Sequence, residues 1–271
     1  MKNVEAQTKV NWRAVGFYYF AACALSWPFF WWRDMHPASW SSWQFPMVSG
    51  GSPLSFILKM AVVMWGPGIA SILTLVLFRK THHRTITFWG TSRWKSLAFY
   101  WVPILFAAGV GVPMPDGSIN RLGTVALGLV TLFTILGEEL GWRGFLQDAL
   151  RPLTLLKRYV LIGILWEFWH FTNRTSQGSL KQVVLFLVIF YPTGVILSWL
   201  IGEATERGKS LLIAVTLHAW FDIVFTFPNR RTYVALAFSF VFWIVLLIWW
   251  NKAGQGLEQT GRSAPGLNHP C

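Results

Sequence analysis

Eight long apolar stretches constrain this chain more than any other feature. They fall at about 14–32, 53–78, 97–114, 122–150, 159–172, 183–201, 210–227 and 232–250 of its 271 residues. A helix needs about 20 mostly apolar residues to cross a bilayer. In hydrocarbon, only helices and closed barrels satisfy every backbone N–H and C=O. Composition agrees: 54% of residues are hydrophobic and 13% charged, against about 25% charged in a soluble domain. The expectation is an all-α polytopic integral membrane protein of about eight transmembrane helices, forming a single transmembrane domain over residues 1–251. Lys2, Lys9 and Arg13 precede the first run much as in a signal peptide. That run continues through Trp31 and Trp32, which favours an uncleaved first span. Residues 252–271 are polar and rich in Gly and Pro, the composition of a disordered tail.

The net charge of +12 admits two explanations, nucleic-acid binding or a membrane topology. Distribution decides between them. Fifteen Lys and Arg lie in the N-terminus, the 2–3, 4–5 and 6–7 loops and the C-terminus, and six in the remaining loops. The positive-inside rule then predicts a multi-pass protein of the plasma (inner) membrane with both termini cytoplasmic. Basic residues are spread over the loops, five at most in any one, so no nucleic-acid partner is expected. The densest run, Arg79 to Lys95, reads as a loop against anionic lipid headgroups. With only Cys23 and Cys271, there is no disulfide framework and no thiolate metal site.

Charge at bilayer depth is costly and marks function or a pair. Of 11 acids, Glu138, Glu139 and Asp148 fall in span 4, Glu167 in span 5 and Asp222 in span 7. His170 and His218 are the two deep histidines, in spans 5 and 7. Glu139 and Arg143 stand at i and i+4 and can pair, which leaves Glu138 without an intrahelical partner. A carboxylate in a low-dielectric site can serve as general base or acid near neutral pH. Glu167 and His170 are at i and i+3, and His218 and Asp222 at i and i+4. Taken singly, each also has a bland reading: an orienting ion pair for Glu139 and Arg143, a hydrogen-bonded packing residue for His170, a local hydrogen bond for His218 and Asp222. Together they call for one shared cavity between helices 4, 5 and 7. A carboxylate beside two imidazoles suits activation of water for hydrolysis, with a donor at the developing oxyanion.

At these residues the chain resembles the CPBP family of CAAX proteases and bacteriocin-processing proteins. That resemblance covers about residues 123–227. Glu138, Glu139 and Arg143 match a Glu-Glu-x-x-x-Arg motif. Trp166 and His170 match Phe-x-x-x-His with Trp in place of Phe, and His218 and Asp222 match His-x-x-x-Asn/Asp. Weaker echoes are Leu25-Ser26-Trp27 and Trp65-Gly66-Pro67. The resemblance implies an intramembrane endopeptidase acting on a peptide or protein substrate at the lipid bilayer. It implies Glu138 and His170 as the catalytic pair that activates water, His218 and Asp222 as the oxyanion-stabilising pair, and Glu139 and Arg143 as support. Asp222 stands where prenyl-protein processors carry an amide, and Glu167 is an extra acid with no family role.

Two histidines and a carboxylate could also hold a catalytic zinc with an open position. The chain has no His-Glu-x-x-His, and its deep histidines lie on different spans, so no cofactor is expected. Other classes stay in view. One is a non-catalytic membrane immunity or binding protein of the same family. Another is a proton-coupled transporter, although the polar residues sit almost entirely in the second half and show no repeat. A di-metal oxidase would need a second Glu-x-x-His beside Glu167 and His170. Depth sets a further expectation. Measured from the helix ends, His218 lies about 12 Å and Glu138 about 20 Å deep; a break at Gly141 and Gly144, or an earlier end to span 4, would bring them level.

Overall fold

The computed structural model describes residues 9–35, 64–78, 84–112, 119–174, 179–226 and 229–260. Helices dominate these residues, and the strand-like pairing among them is an isolated parallel bridge between Thr87 and Ser210. In chain order the helical rods are α1 (Trp12–Met35), α2 (Gly66–Leu77), α3 (Arg93–Val110), α4 (Arg121–Ala149), α5 (Leu155–Arg174), α6 (Leu180–Gly208), α7 (Leu211–Thr226) and α8 (Arg230–Thr260). They overlap the eight apolar stretches, except that 53–63 of the second lies outside the described residues. By length and composition, α1, α4, α6 and α8 can cross a membrane, while α2 and α7 are shorter apolar helices. The protein is an all-α polytopic membrane protein. Helix α8 continues to Thr260, into the segment expected as a disordered tail, and 261–271 lie outside the described residues.

Small residues let the helices meet closely, as they must where lipid removes the hydrophobic drive for helices to associate. A Cβ on Gly68 of α2 would lie 2.7 Å from the carbonyl oxygen of Gly137 on α4. A Cβ on Gly141 would lie 2.6 Å from Pro67 Cβ. These contacts flank Glu138 and Glu139. A second seam joins α5 to α6. There Gly194 lies against Glu167, Ser198 against Gly163, and Gly202 against Tyr159. The Gly194, Ser198, Gly202 spacing of four puts all three on one face of α6.

Helix α4 does not break at Gly141 or Gly144. It continues through a π-helical turn at Trp142–Leu146, a feature often found at functional sites. Beyond the turn, residues 84–91 bridge the end of α4 and the start of α7. Asp148 Oδ2 accepts from the backbone N–H of Thr85 at 2.6 Å and of Ile86 at 3.0 Å. Thr85 Oγ1 donates to Asp148 Oδ1 at 2.5 Å. Leu211 N–H donates to Thr87 O at 2.9 Å, and Ser210 Oγ to Phe88 O at 3.0 Å. Ser210 and Ile86 are fully buried there. This part of the basic loop is therefore a clasp between helix ends, and Asp148 is its anchor rather than a member of the shared site.

Replacing Asp148 with Ala would leave two backbone N–H groups without their acceptor, at about 1–3 kcal/mol for each unsatisfied group. The expected result is a clearly lowered melting temperature of purified protein in detergent, with Asp148→Asn, which keeps one acceptor oxygen, falling between the two. Equal melting of all three proteins would contradict the clasp.

Candidate active site

The chemistry is gathered where α4, α5 and α7 face each other. Glu138, Glu139 and Arg143 on α4 are fully buried, and His170 on α5 and His218 on α7 are buried. Glu139 and Arg143 make the expected pair, with Arg143 Nη1 donating to Glu139 Oε1 at 2.8 Å. The same Oε1 lies 2.7 Å from His218 Nδ1. One carboxylate oxygen thus serves a guanidinium on its own helix and an imidazole on another. That contact fixes Nδ1 as the side of His218 turned to Glu139 and leaves Nε2 facing the other way. It also settles the depth question, because Glu139 and His218 are level. The clasp ties the end of α4, through Asp148, to the start of α7, through Leu211, so the two helices run side by side from a common point.

Trp166 of α5 ties the remaining groups together. Its Nε1 donates to Glu138 Oε2 at 3.1 Å. Its ring meets both imidazoles edge-on, with centroids 5.1 Å from His170 and 5.1 Å from His218. The Arg143 guanidinium carbon stands 5.2 Å from the centre of the same ring. His170 Nδ1 lies 2.9 Å from the carbonyl oxygen of Trp166, one turn earlier, so Nδ1–H is turned into the helix and Nε2 outward. Arg143 also donates from Nη2 to Ser198 Oγ at 3.1 Å, which links α6 to the site.

The sequence reading thus placed Glu138, Glu139, Arg143, His170 and His218 in one neighbourhood, and the structure brings them together. Asp222 sits at the edge. Its Oδ2 is 3.8 Å from His218 Nε2, beyond hydrogen-bond range, and its side chain is about half exposed at 48%. Glu167 turns the other way, towards α6, where a Cβ on Gly194 would overlap its carboxylate. Two contributors were missed. In the sequence Trp166 stands out only as a motif residue, and Ser198 only as a lone hydroxyl on an apolar span. Among the described residues, no group of three or more His, Cys, Asp and Glu is disposed to hold a metal ion. Both imidazole Nδ1 atoms are taken by protein oxygens.

Residues 119–224 match the family model described as type II CAAX prenyl endopeptidase Rce1-like. All the site residues above lie within that match. Over this stretch the chain is similar to the Rce1-like family. A curated CAAX prenyl protease 2 from Methanococcus maripaludis is 32% identical over 91 residues, covering 30% of this chain and 32% of that protein. The chain therefore spans about a third of the length of the curated relative it matches.

Removing one partner of a buried ion pair costs about 3–5 kcal/mol, whereas replacing both with apolar residues is often neutral. Glu139→Leu should therefore melt far below wild type, and Glu139→Leu with Arg143→Met should recover much of that loss. A double variant no more stable than the single would show that Arg143 is not held by Glu139.

Proposed function

We propose that the chain is an intramembrane endopeptidase that hydrolyses a peptide bond of a membrane-associated substrate, by CAAX-type processing. The observation that carries the proposal is the buried Glu138 carboxylate, joined through one indole to His170 and His218. The family match supports the reaction class. The name of the archaeal relative suggests a prenylated peptide as substrate.

In this mechanism Glu138 accepts a proton from a water molecule that His170 Nε2 helps to orient. The oxygen's electron pair forms the new bond to the scissile carbonyl carbon, and the carbonyl π pair moves onto its oxygen. His218, an imidazolium whose Nδ1–H donates to Glu139, offers Nε2–H to that oxyanion. Asp222, 3.8 Å from Nε2, stands at the oxyanion side of the ring without a hydrogen bond to it. Collapse of the tetrahedral intermediate breaks the C–N bond, and Glu138 returns the proton to the leaving amine. A preorganised donor at the oxyanion is worth on the order of 10²–10³ in rate. Glu139 and Arg143 fix the imidazole and do not exchange protons with substrate.

A quenched fluorescent peptide with a prenylated C-terminal cysteine, presented in vesicles, tests the reading. Glu138→Ala and His218→Ala should each abolish its cleavage while inserting into membranes as well as wild type. Full cleavage by both variants would overturn the mechanism. Cleavage should also survive 1,10-phenanthroline. Inhibition that is reversed by added zinc would replace the glutamate-only chemistry with a metal-dependent one. A biological effect of the chain unchanged by Glu138→Gln would favour the binding-protein reading.

A further inference from the structure

A general base must present one oxygen to water and keep it there, since small misplacements cost large factors in rate. In Glu138 the two oxygens are not equivalent. Oε2 accepts the indole N–H of Trp166 at 3.1 Å. Oε1 is buried and, among the described residues, has no hydrogen-bond partner. An indole N–H only donates, so it cannot compete for the proton that a base must take. It also cannot rotate away. The Trp166 ring is held between the imidazoles of His170 and His218, at interplanar angles of 84° and 89°. Arg143 lies over the same ring, and Trp166 itself is almost fully buried, at 4% exposure.

We infer that Trp166 is a positioning residue for hydrolysis: its N–H pins Glu138 Oε2, so that Oε1 is the oxygen that takes the proton from water. The inference rests on the reading of Glu138 as the base. It separates two contributions of one side chain. The ring spaces the two histidines, and the N–H orients the carboxylate. A phenylalanine here would keep much of the first and lose the second.

The test uses the full-length protein in vesicles and the same prenylated peptide. Trp166 is replaced by Phe and, by nonsense suppression, by 3-benzothienylalanine, which keeps the bicyclic ring but has sulfur in place of N–H. Glu138→Ala is run alongside. A hydrogen bond to a charged group contributes about 1.5–3 kcal/mol. Both Trp166 variants should therefore lose about tenfold or more in kcat while KM stays within about twofold. The benzothienyl protein should melt close to wild type, which a purely packing role also predicts, so the kcat loss is the deciding readout. Wild-type kcat in the benzothienyl variant with an inactive Glu138→Ala would overturn the positioning role and leave Glu138 as base. A change in KM alone would also overturn it, pointing to substrate packing. Full activity of Glu138→Ala would overturn both readings together.

Discussion

A single buried carboxylate oxygen, Glu139 Oε1, holds this site together. It meets Arg143 Nη1 at 2.8 Å and His218 Nδ1 at 2.7 Å. Burial makes the arrangement demanding. A lone carboxylate or guanidinium in hydrocarbon costs several kcal/mol, and the pair is tolerated only with good geometry and further hydrogen bonds. The second guanidinium arm supplies one such bond, to Ser198 on α6. Three helices are thereby committed to one register. A slip of α7 by a single residue would turn His218 about 100° away from Glu139 and strand the buried charges.

Backbone packing makes that register attainable. Gly68, Gly137 and Gly141 let α2 and α4 approach within the width of a side chain, directly beside Glu138 and Glu139. Gly194, Ser198 and Gly202 do the same for α6 on α5. At the end of α4, Asp148 gathers the clasp that also caps the start of α7. A neighbouring polar cluster reinforces it. Glu206 of α6 meets Arg151 at 3.2 Å, Arg158 at 3.5 Å and Lys209. The chain thus fixes α4 against α7 twice, at the site through Glu139 and His218 and at the helix ends through the clasp.

Much of this was legible in the sequence, for a physical reason. Lipid makes each ionisable residue in a span conspicuous, and helical periodicity fixes which residues share a face. The Glu139–Arg143 pair and the grouping of spans 4, 5 and 7 followed from those two rules. Contacts between helices did not, because they depend on stagger, and stagger is set by glycine seams and by the clasp. So Glu139 read as paired with Arg143 alone, although it also holds His218. Asp148 read as a deep charge, although it ties a loop. Glu167 shares a helix with His170 but faces Gly194 across the α5–α6 seam. The spacing of His218 and Asp222 suggested a bond that the 3.8 Å separation does not make. The π-helical turn at Trp142–Leu146 has no simple sequence signature.

The contact between Glu139 and His218 is the most direct point at which to test the account, because convergence of α4 and α7 depends on it. The measurement is the distance between ¹³Cδ of Glu139 and ¹⁵Nδ1 of His218, by rotational-echo double-resonance solid-state NMR on selectively labelled protein in lipid bilayers. A direct hydrogen bond predicts a separation under about 4 Å. A separation beyond about 6 Å, outside the reach of any direct hydrogen bond, would contradict the shared site.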